Sequence, residues 1–272
     1  MTLPPRRLAI LGATGSIGTQ AIQVVRELRS RGEPFEIKVL AAGRRVEELS
    51  ALAREFQVEL VCLAGPEEAA KARALLPKGI KVVYGPEGLA QAAAWPDVDL
   101  VLNAVVGARG LRATLAALEA GKTLALANKE SLVVGGELVL AASRRPGQII
   151  PVDSEHAALL QLLSGVRREE LARAWITASG GPFRDRKPEE LSGVTPEEAL
   201  AHPTWHMGPR ITVDSATLVN KAFEVIEAHH LFGLAWEEIG VLLHPQSIVL
   251  SLIHISEPTR PLYISYAVFC LK

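Results

Sequence analysis

The chain has 272 residues, of which 49% are hydrophobic, so it is long enough for two domains of ordinary size with apolar cores. Its 29 Lys and Arg residues balance 30 Asp and Glu residues to a formal net charge of −1, and we therefore expect no nucleic-acid partner and no membrane partner. The N-terminal residues lack an apolar targeting segment and no apolar run reaches about 18 residues, which predicts a cytoplasmic protein.

The first part of the chain alternates short apolar strands with amphipathic helical stretches. Such alternation is typical of a parallel sheet covered by helices on both faces. We therefore predict an α/β fold that opens with a Rossmann-like domain over residues 1–150. The predicted strands are 7–11, 35–40, 60–63, 81–84, 100–103, 123–126 and 148–152, and the predicted helices are 17–28, 46–56, 66–76 and 111–119.

A second α/β region, predicted as the catalytic domain, follows over residues 151–252. Its loops are richer in polar and aromatic residues, as loops that carry binding sites tend to be. The predicted elements are helices 154–163, 196–201 and 216–231 and strands 174–178 and 240–243, with a polar, glycine-rich stretch at 179–186.

The last segment, residues 253–272, differs in composition from the rest of the chain. It contains two of the three Tyr residues and one of the two Cys residues. We interpret it as a non-native tail, produced by a frameshift or by an adapter read as coding sequence; the alternative is a genuine C-terminal strand. Sequencing of the 3′ end of the gene distinguishes the two.

A glycine-rich turn separates the first predicted strand from the first predicted helix. Gly12, Gly15 and Gly18 form the pattern G-x-x-G-x-x-G. Glycines allow the backbone to approach a phosphate, and a helix N-terminus offers free N–H groups to it. The pattern predicts a dinucleotide site, with a tight structural turn as the alternative.

The end of the second strand bears on which nicotinamide cofactor binds. An acidic residue there accepts from a ribose hydroxyl, whereas a basic residue receives the 2′-phosphate of NADP. This chain has Gly43-Arg44-Arg45 and no acid at that point. The residues favour NADP over NAD, although an arginine pair that opens a helix is also an ordinary solvated surface.

Three acidic residues form the main chemical signal. Asp153 and Glu155 follow an apolar run, and in an extended segment their side chains would share one face. Carboxylates this close repel each other unless a cation or a shared proton lies between them. With Glu224 as a third ligand they predict a divalent metal site; the alternative is a solvated acidic turn.

Polar residues that could hold an anionic substrate lie in several later segments. Lys129 follows a strand, Ser179 precedes two glycines, and Ser215 is expected at the N-cap of the long helix. On that helix Asn220, Lys221 and Glu224 lie on adjacent rows, or alternatively Lys221 and Glu224 form a surface ion pair. Its predicted buried side consists of Leu218, Ala222, Val225 and Ile226.

The segment 202–209 contains His202 and Trp205 and reads as a loop. A loop that closes an aromatic ring over a substrate excludes water and strengthens the charge interactions beneath it. We predict a lid here; the alternative is that Trp205 anchors the loop by packing.

Taken together, these motifs resemble the 1-deoxy-D-xylulose 5-phosphate reductoisomerase family over residues 7 to about 249. The resemblance is carried by Gly-Ala-Thr-Gly-Ser-Ile-Gly, Ala-Asn-Lys-Glu-Ser, Pro-Val-Asp-Ser-Glu-His, Ala-Ser-Gly-Gly-Pro-Phe-Arg, His-Pro-Thr-Trp-His-Met-Gly, Val-Asp-Ser-Ala-Thr-Leu-Val-Asn-Lys and His-Pro-Gln-Ser-Ile-Val. It implies an enzyme that uses NADPH and Mg²⁺, Mn²⁺ or Co²⁺ to rearrange and reduce this sugar phosphate to 2-C-methyl-D-erythritol 4-phosphate.

The resemblance also assigns roles to individual positions. The implied metal ligands are Asp153, Glu155 and Glu224, which with Lys129 and His202 form the implied catalytic set. The implied NADPH residues are Thr14, Gly15, Ser16, Ile17, Gly43, Arg44, Arg45, Asn128, Glu130 and Gly208. The implied substrate residues are Lys129, Ser154, Glu155, Ser179, His202, Trp205, Ser215, Asn220, Lys221 and Glu224.

The family pattern continues into a C-terminal helical domain, which this chain is expected to lack. We therefore expect poor expression or no turnover, and a homodimer only at full length, with residues 239–249 in a shared sheet. Two alternatives remain: another NADP-dependent, metal-requiring dehydrogenase of a phosphorylated substrate, and a non-catalytic dinucleotide sensor.

Overall fold

The structure is a computed structural model, which describes residues 6–204, 208–255 and 267–271. The chain divides into two compact units, Met1–Ile150 and Pro151–Lys272. Among the described residues, no helix combines the length and apolar character needed to cross a membrane.

The first unit is built on a seven-stranded sheet. The strands are β1 (Arg6–Leu11), β2 (Phe35–Ala41), β3 (Leu60–Leu63), β4 (Lys81–Tyr84), β5 (Leu100–Asn103), β6 (Thr123–Leu126) and β7 (Ile149–Pro151). Their order is β4-β3-β2-β1-β5-β6-β7, and strands β1 to β6 pair in parallel. The predicted parallel α/β sheet is confirmed. Its strand order reverses between β1 and β5, which is where open α/β sheets bind ligands beyond the strand carboxyl ends.

The helices of this unit are α1 (Ser16–Ser30), α2 (Val46–Phe56), α3 (Pro66–Leu75), α4 (Gly85–Ala93), α5 (Gly110–Glu119) and α6 (Lys129–Ala142). The sequence did not predict α4 or α6. Helix α6 has apolar residues on all sides, including the exposed Val134 and Leu138, and Gly135 interrupts its helical dihedrals. Without a regular apolar stripe, periodicity gives no signal for a helix.

The core of the first unit consists of the central strands and the helix faces packed on them. Ile10, Leu11, Leu40 and Leu60 are each fully buried, as expected for strands that are covered on both faces. Cys62 on β3 is also buried, and desolvation raises the pKa of its thiol to about 12, so it is unreactive at neutral pH.

The second unit packs helices against a four-stranded mixed sheet. Its elements are α7 (Ser154–Leu163), β8 (Leu171–Ala178), α8 (Pro196–Leu200), α9 (Pro209–Ala216), α10 (Val219–Phe232), β9 (Ile239–Leu243), β10 (Val249–Ile255) and β11 (Ala267–Leu271). The order is β11-β10-β8-β9, in which β8 is parallel to β9 and antiparallel to β10. The core cluster of this unit includes Leu159, Ile176, Ala228 and Ile253.

The long helix and the last strands of this unit both bear on the sequence-based expectations. The single helix predicted over 216–231 is wrong at its start, because α9 ends at Ala216 and α10 begins at Val219 after Leu218 adopts a left-handed conformation (φ 61°). Strand β10 crosses the predicted tail boundary at residue 253, and β11 adds to its open edge. A sheet edge accepts many β-prone segments, so the foreign origin of residues 253–272 stays a prediction.

Candidate functional site

The glycine turn, residues 12–18, connects β1 to α1 in the first unit. Gly12 has φ +91°, and an ideal Cβ there would lie 2.5 Å from the Ala104 carbonyl oxygen. A Cβ on Gly18 would lie 2.2 Å from the Gly12 carbonyl oxygen. Only glycine fits at either position. The turn is therefore shaped for close backbone approach, as a pyrophosphate at a helix N-terminus requires.

The other residues of the glycine turn border the N-terminus of α1. Gly15 is the N-cap of α1, and Ser16 and Ile17 are exposed in its first turn, which contains no acidic residue. Thr14 is largely buried, with 8% of its surface exposed. The positive end of the α1 dipole thus meets solvent without a competing carboxylate.

The arginine pair follows β2 and is exposed together with Gly43. Arg45 precedes α2, and its Nη1 donates to the Thr14 carbonyl oxygen at 2.7 Å. Arg45 therefore ties the end of β2 to the glycine turn, while Arg44 presents its guanidinium to solvent. This arrangement fits a 2′-phosphate, since no acidic residue ends the strand.

Residues 128–130 begin α6 at the carboxyl end of β6. Asn128 is 1% exposed, and its amide is fully used within the unit: Nδ2 donates to the Val105 carbonyl at 2.7 Å and Oδ1 accepts from Ser131 N at 3.1 Å. Asn128 therefore holds the loop after β5, and its contact with NADPH stays a prediction. Lys129 and Glu130 are half-buried, and Glu130 Oε1 accepts from Gly107 N at 3.0 Å.

In the second unit Asp153, Glu155 and Glu224 form an acidic cluster. Each offers a carboxylate oxygen, and the three oxygens lie within 4.8 Å of one another. The expected cause, side chains alternating along an extended segment, is wrong. Asp153 is the N-cap of α7 and accepts from Glu155 N at 3.2 Å, so helix capping directs both side chains to one place. Glu224 reaches them from α10.

The concentrated negative charge of the acidic cluster favours a bound cation. Desolvation raises the pKa of Glu155, and the charges of Glu224 and Asp153 raise it further. Lys221 Nζ lies 2.9 Å from Glu155 Oε1 and also donates to Glu224 Oε2. Although burial alone would lower the pKa of Lys221, the two carboxylates outweigh burial and raise it. An all-oxygen donor set that holds positive charge fits a divalent cation such as Mg²⁺ or Mn²⁺.

Sequence reasoning assigned no role to His156, which contacts both sides of the acidic cluster in the structure. His156 is fully buried; Nδ1 lies 3.1 Å from Asp153 Oδ1, and Nε2 donates to the Glu224 carbonyl oxygen at 2.9 Å. Burial lowers its pKa, but Asp153, Glu227 and Glu224 together raise it to about 9. The imidazolium therefore links the two segments that carry the carboxylates. The sequence signal that could have revealed this contact is the i, i+3 spacing between Asp153 and His156.

Glu227, also missed, completes a charged stripe on α10. Lys221, Glu224 and Glu227 are each less than 10% exposed, whereas Leu218 is 41% exposed. The predicted buried side of the helix is therefore wrong in part: Ala222 is exposed as well, and Val225 and Ile226 are only partly buried. The charged side faces inward because opposite charges meet there and compensate each other.

A second group of polar residues surrounds the turn after β8. Ser179 Oγ lies 3.0 Å from His202 Nε2, and the main chain at Gly181 packs so closely that a Cβ there would lie 2.4 Å from the Ser215 carbonyl oxygen. Burial and the charge of Arg184 lower the pKa of His202, which keeps the imidazole neutral at pH 7. The structure thus brings Ser179, His202 and Ser215 into one neighbourhood.

The structure adds detail to the predictions for the remaining site residues. Ser215 lies in the last turn of α9 and donates to the Ile211 carbonyl at 2.8 Å, so it is not the N-cap of α10. Asn220 Nδ2 donates to Glu224 Oε1 at 2.6 Å, and Ser154 Oγ donates to Glu155 Oε2 at 2.6 Å. Gly208 precedes α9 and is exposed. Trp205 lies outside the described residues, as do His206 and Met207 of the predicted lid, so the lid stays a prediction.

Family models and individual relatives match this sequence along most of its length. The family model for 1-deoxy-D-xylulose 5-phosphate reductoisomerase matches residues 8–136, and the model for the C-terminal domain of that enzyme matches residues 149–232. The reductoisomerase of Geobacillus sp. (strain WCH70) is 49% identical over 247 residues, which cover 90% of this chain and 64% of the relative. That of Symbiobacterium thermophilum is 52% identical over 248 residues, covering 89% and 63%.

Solved structures give the same result. The reductoisomerase of Zymomonas mobilis in complex with NADPH has a TM-score of 0.86 and 37% identity, with 98% of this chain and 67% of that chain covered. A reductoisomerase in complex with NADPH, fosmidomycin and magnesium has a TM-score of 0.83 and 40% identity, with 92% and 64% covered. The chain spans 63% to 67% of the length of these four relatives. It belongs to the 1-deoxy-D-xylulose 5-phosphate reductoisomerase family.

Proposed function

We propose that this chain carries the binding and catalytic residues for the NADPH- and metal-dependent conversion of 1-deoxy-D-xylulose 5-phosphate to 2-C-methyl-D-erythritol 4-phosphate. The observation that carries the proposal is the acidic cluster, in which three carboxylates from α7 and α10 come within 4.8 Å of one another. Family membership supports it, since relatives of this fold are described in complex with NADPH, fosmidomycin and magnesium.

In the proposed metal site Asp153, Glu155 and Glu224 hold Mg²⁺, Mn²⁺ or Co²⁺. A bound cation of this kind supplies a Lewis acid for the substrate's ketone and neighbouring hydroxyl. The chain orients its own ligands. Asn220 donates to Glu224 at 2.6 Å and Ser154 donates to Glu155 at 2.6 Å, so each carboxylate keeps one oxygen fixed. Such supporting contacts orient metal ligands in proteins generally.

In the proposed cofactor site the glycine turn receives the pyrophosphate of NADPH through the backbone of Thr14, Gly15, Ser16 and Ile17. Arg44 and Arg45, beside Gly43, bind the 2′-phosphate. Asn128, Glu130 and Gly208 are also assigned to NADPH. The fit of Gly12 and Gly18 to a turn without side chains supports this assignment.

For the sugar phosphate, we assign the anion to the group around Ser179, His202 and Ser215, with Asn220 and Lys221 as further donors. Lys129 and Trp205 are also assigned to the substrate. The Ser179–His202 contact of 3.0 Å supports the assignment, because it places a hydroxyl and an imidazole side by side, and both groups can donate hydrogen bonds to a phosphate oxygen.

The decisive experiment is product analysis. Any turnover of 1-deoxy-D-xylulose 5-phosphate by the chain with NADPH and Mn²⁺ is expected to give the branched polyol phosphate, which ¹³C NMR and mass spectrometry identify. Glu224→Gln is expected to remove the product, whereas Glu197→Gln, on an exposed carboxylate of α8, is the matched control. An unbranched reduced product would instead indicate a dehydrogenase of another class.

A binding measurement covers the case in which this chain binds ligands but has no turnover. Calorimetry with fosmidomycin is expected to show binding that requires Mn²⁺ and is lost in Glu224→Gln. NADPH is expected to bind more tightly than NADH. If fosmidomycin shows no Mn²⁺-dependent binding and NADPH does not bind, the proposed function is wrong.

We also propose that the full-length protein forms a homodimer through the edge of the mixed sheet. Strand β9 is an edge strand, and its residues Val241, Leu242 and Leu243 are between 41% and 61% exposed. An exposed apolar edge strand favours pairing with a second chain. Sedimentation of the full-length protein is expected to show a dimer that Leu243→Lys weakens. A cytoplasmic location, expected from the sequence, remains part of this proposal.

A further inference from the structure

Four polar side chains form a fully buried ring in the first unit. Asn103 ends β5, Thr114 lies on α5, and Asn128 and Ser131 begin α6; each is at most 1% exposed. Burying a polar group costs free energy unless its hydrogen bonds are replaced, and apolar residues would fill the same space more cheaply. The presence of four such groups in contact therefore needs a reason.

The orientation of both asparagine amides follows from their backbone partners. Asn103 Oδ1 accepts from Val105 N at 3.3 Å, and its Nδ2 donates to the Gly110 carbonyl at 3.0 Å. Asn128 Oδ1 accepts from Ser131 N at 3.1 Å, and its Nδ2 donates to the Val105 carbonyl at 2.7 Å. Because a carbonyl only accepts and an N–H only donates, neither amide can be reversed.

The two hydroxyls then have a single direction of donation. Asn103 Nδ2 donates to Thr114 Oγ1 at 2.9 Å, and Thr114 Oγ1 lies 3.0 Å from Ser131 Oγ. Ser131 Oγ donates to Asn128 Oδ1, which leaves Thr114 as the donor to Ser131. The chain of donors therefore begins at the Val105 N–H and ends at the Val105 carbonyl, so the ring closes on a single residue.

Val105 belongs to the loop 104–107, which follows β5 beside the point where the strand order reverses. The loop touches the glycine turn, since a Cβ on Gly12 would lie 2.5 Å from the Ala104 carbonyl oxygen. It is tied a second time through Glu130, whose carboxylate accepts from Gly107 N at 3.0 Å and from Asn128 Nδ2 at 2.8 Å. The loop forms the wall that faces the glycine turn.

We propose that Asn103, Thr114 and Ser131 are positioning residues: through the buried ring they fix the loop 104–107 and Glu130 in the shape that binds the dinucleotide. This inference rests on the proposed function. Holding a loop in its bound conformation before the ligand arrives lowers the entropy cost of binding, so the ring acts on cofactor affinity without touching the cofactor.

The test uses Thr114→Val, which keeps the shape of the side chain and removes the hydroxyl, together with the smaller change Ser131→Ala. Each is expected to raise the dissociation constant of NADPH about three- to tenfold, the loss of roughly one net hydrogen bond. Thr114→Ser restores the hydroxyl and is expected to restore the affinity. If Thr114 had only a structural role, Thr114→Val would lower the thermal stability, and Thr114→Ser would not restore the NADPH affinity.

Ser50→Ala is the matched control. Ser50 is 1% exposed in α2, and within the described part of the chain its hydroxyl has no hydrogen-bond partner. Removal of this hydroxyl is expected to leave NADPH affinity unchanged. The comparison separates the loss of a buried hydroxyl in general from the loss of one in the ring.

Amide hydrogen exchange supplies a readout that needs no cofactor. In Thr114→Val the amides of Val105 and Gly107 are expected to exchange faster, while those of β1 keep their protection. Equal NADPH affinity and equal exchange in the unaltered chain and in Thr114→Val would overturn this inference alone. Failure of the unaltered chain to bind NADPH would contradict the proposed function, and the exchange rates would still decide whether the ring holds the loop.

Discussion

The two units of this chain bury different kinds of polar groups. Among the described residues, the buried polar side chains of the first unit are all neutral, for example Asn103, Thr114 and Asn128. The second unit buries His156, Lys221, Glu224 and Glu227, which carry or can carry charge. Neutral groups are satisfied by hydrogen bonds, whereas a buried charge also needs an opposite charge. We expect stability to depend on backbone shape in the first unit and on charge balance in the second.

The largest effect is expected from breaking the charge balance of the second unit. Lys221→Met leaves Glu155 and Glu224 without their common ammonium, and removing one partner of a buried ion pair costs about 3–5 kcal/mol. We expect the free energy of unfolding, measured with urea, to fall by about that amount. Mn²⁺ is expected to recover part of the loss, since it would replace the missing positive charge.

The matched control for this change is Lys71→Met on α3, where the lysine is exposed. It is expected to change stability by less than about 0.5 kcal/mol. If both variants lose the same amount, charge balance does not distinguish the second unit and the comparison between the units fails.

A smaller loss is expected from breaking the backbone shape of the first unit. In Gly18→Ala the new Cβ would lie 2.2 Å from the Gly12 carbonyl oxygen, so the glycine turn must move. Overpacking of this kind costs about 1–3 kcal/mol. We expect a lower midpoint of thermal unfolding together with loss of NADPH binding.

Gly193→Ala serves as its control, because an added Cβ there meets nothing within 4 Å. This control is expected to leave stability within about 0.5 kcal/mol of the unaltered chain. NADPH binding that survives Gly18→Ala would show that the glycine turn does not bind the cofactor.

The smallest effect is expected from a surface charge of the first unit. A hydrogen bond from Trp95 Nε1 to Glu59 Oε2, at 2.7 Å, lowers the pKa of Glu59, and Lys38 lowers it further. Because the folded pKa lies below the unfolded value of about 4.3, this stabilisation is complete above that value and is lost as pH falls through the folded pKa. Solvent screens the carboxylate, so Glu59→Gln is expected to cost less than about 1 kcal/mol at pH 7.

Urea unfolding at pH 7 and at pH 3, followed by Trp fluorescence, measures this difference. The gap between Glu59→Gln and the unaltered chain is expected to narrow at the lower pH. A loss at pH 7 as large as that of Lys221→Met would show that surface charges of the first unit matter as much as buried charges of the second.

Much of the fold could be predicted because its signals are local. The apolar runs of β1, β3 and β5 and the stripes of α2 and α5 repeat at the strand or helix period within one segment. The failures have a common cause. Helix α6 is apolar on all sides, and on α10 the buried stripe is charged, so in neither helix does the pattern of apolar residues show which face is buried.

The sequence by itself determined the α/β alternation, the glycine turn and the identity of the three carboxylates, since each is carried by short motifs, two of them for the carboxylates. Only the tertiary structure decided that Lys221 lies between Glu155 and Glu224, that His156 links α7 to α10, and that a buried ring closes on Val105. These contacts join segments that are distant in sequence or depend on which face of a helix packs inward. Their energies come from burial and compensation of polar groups, which no local pattern encodes.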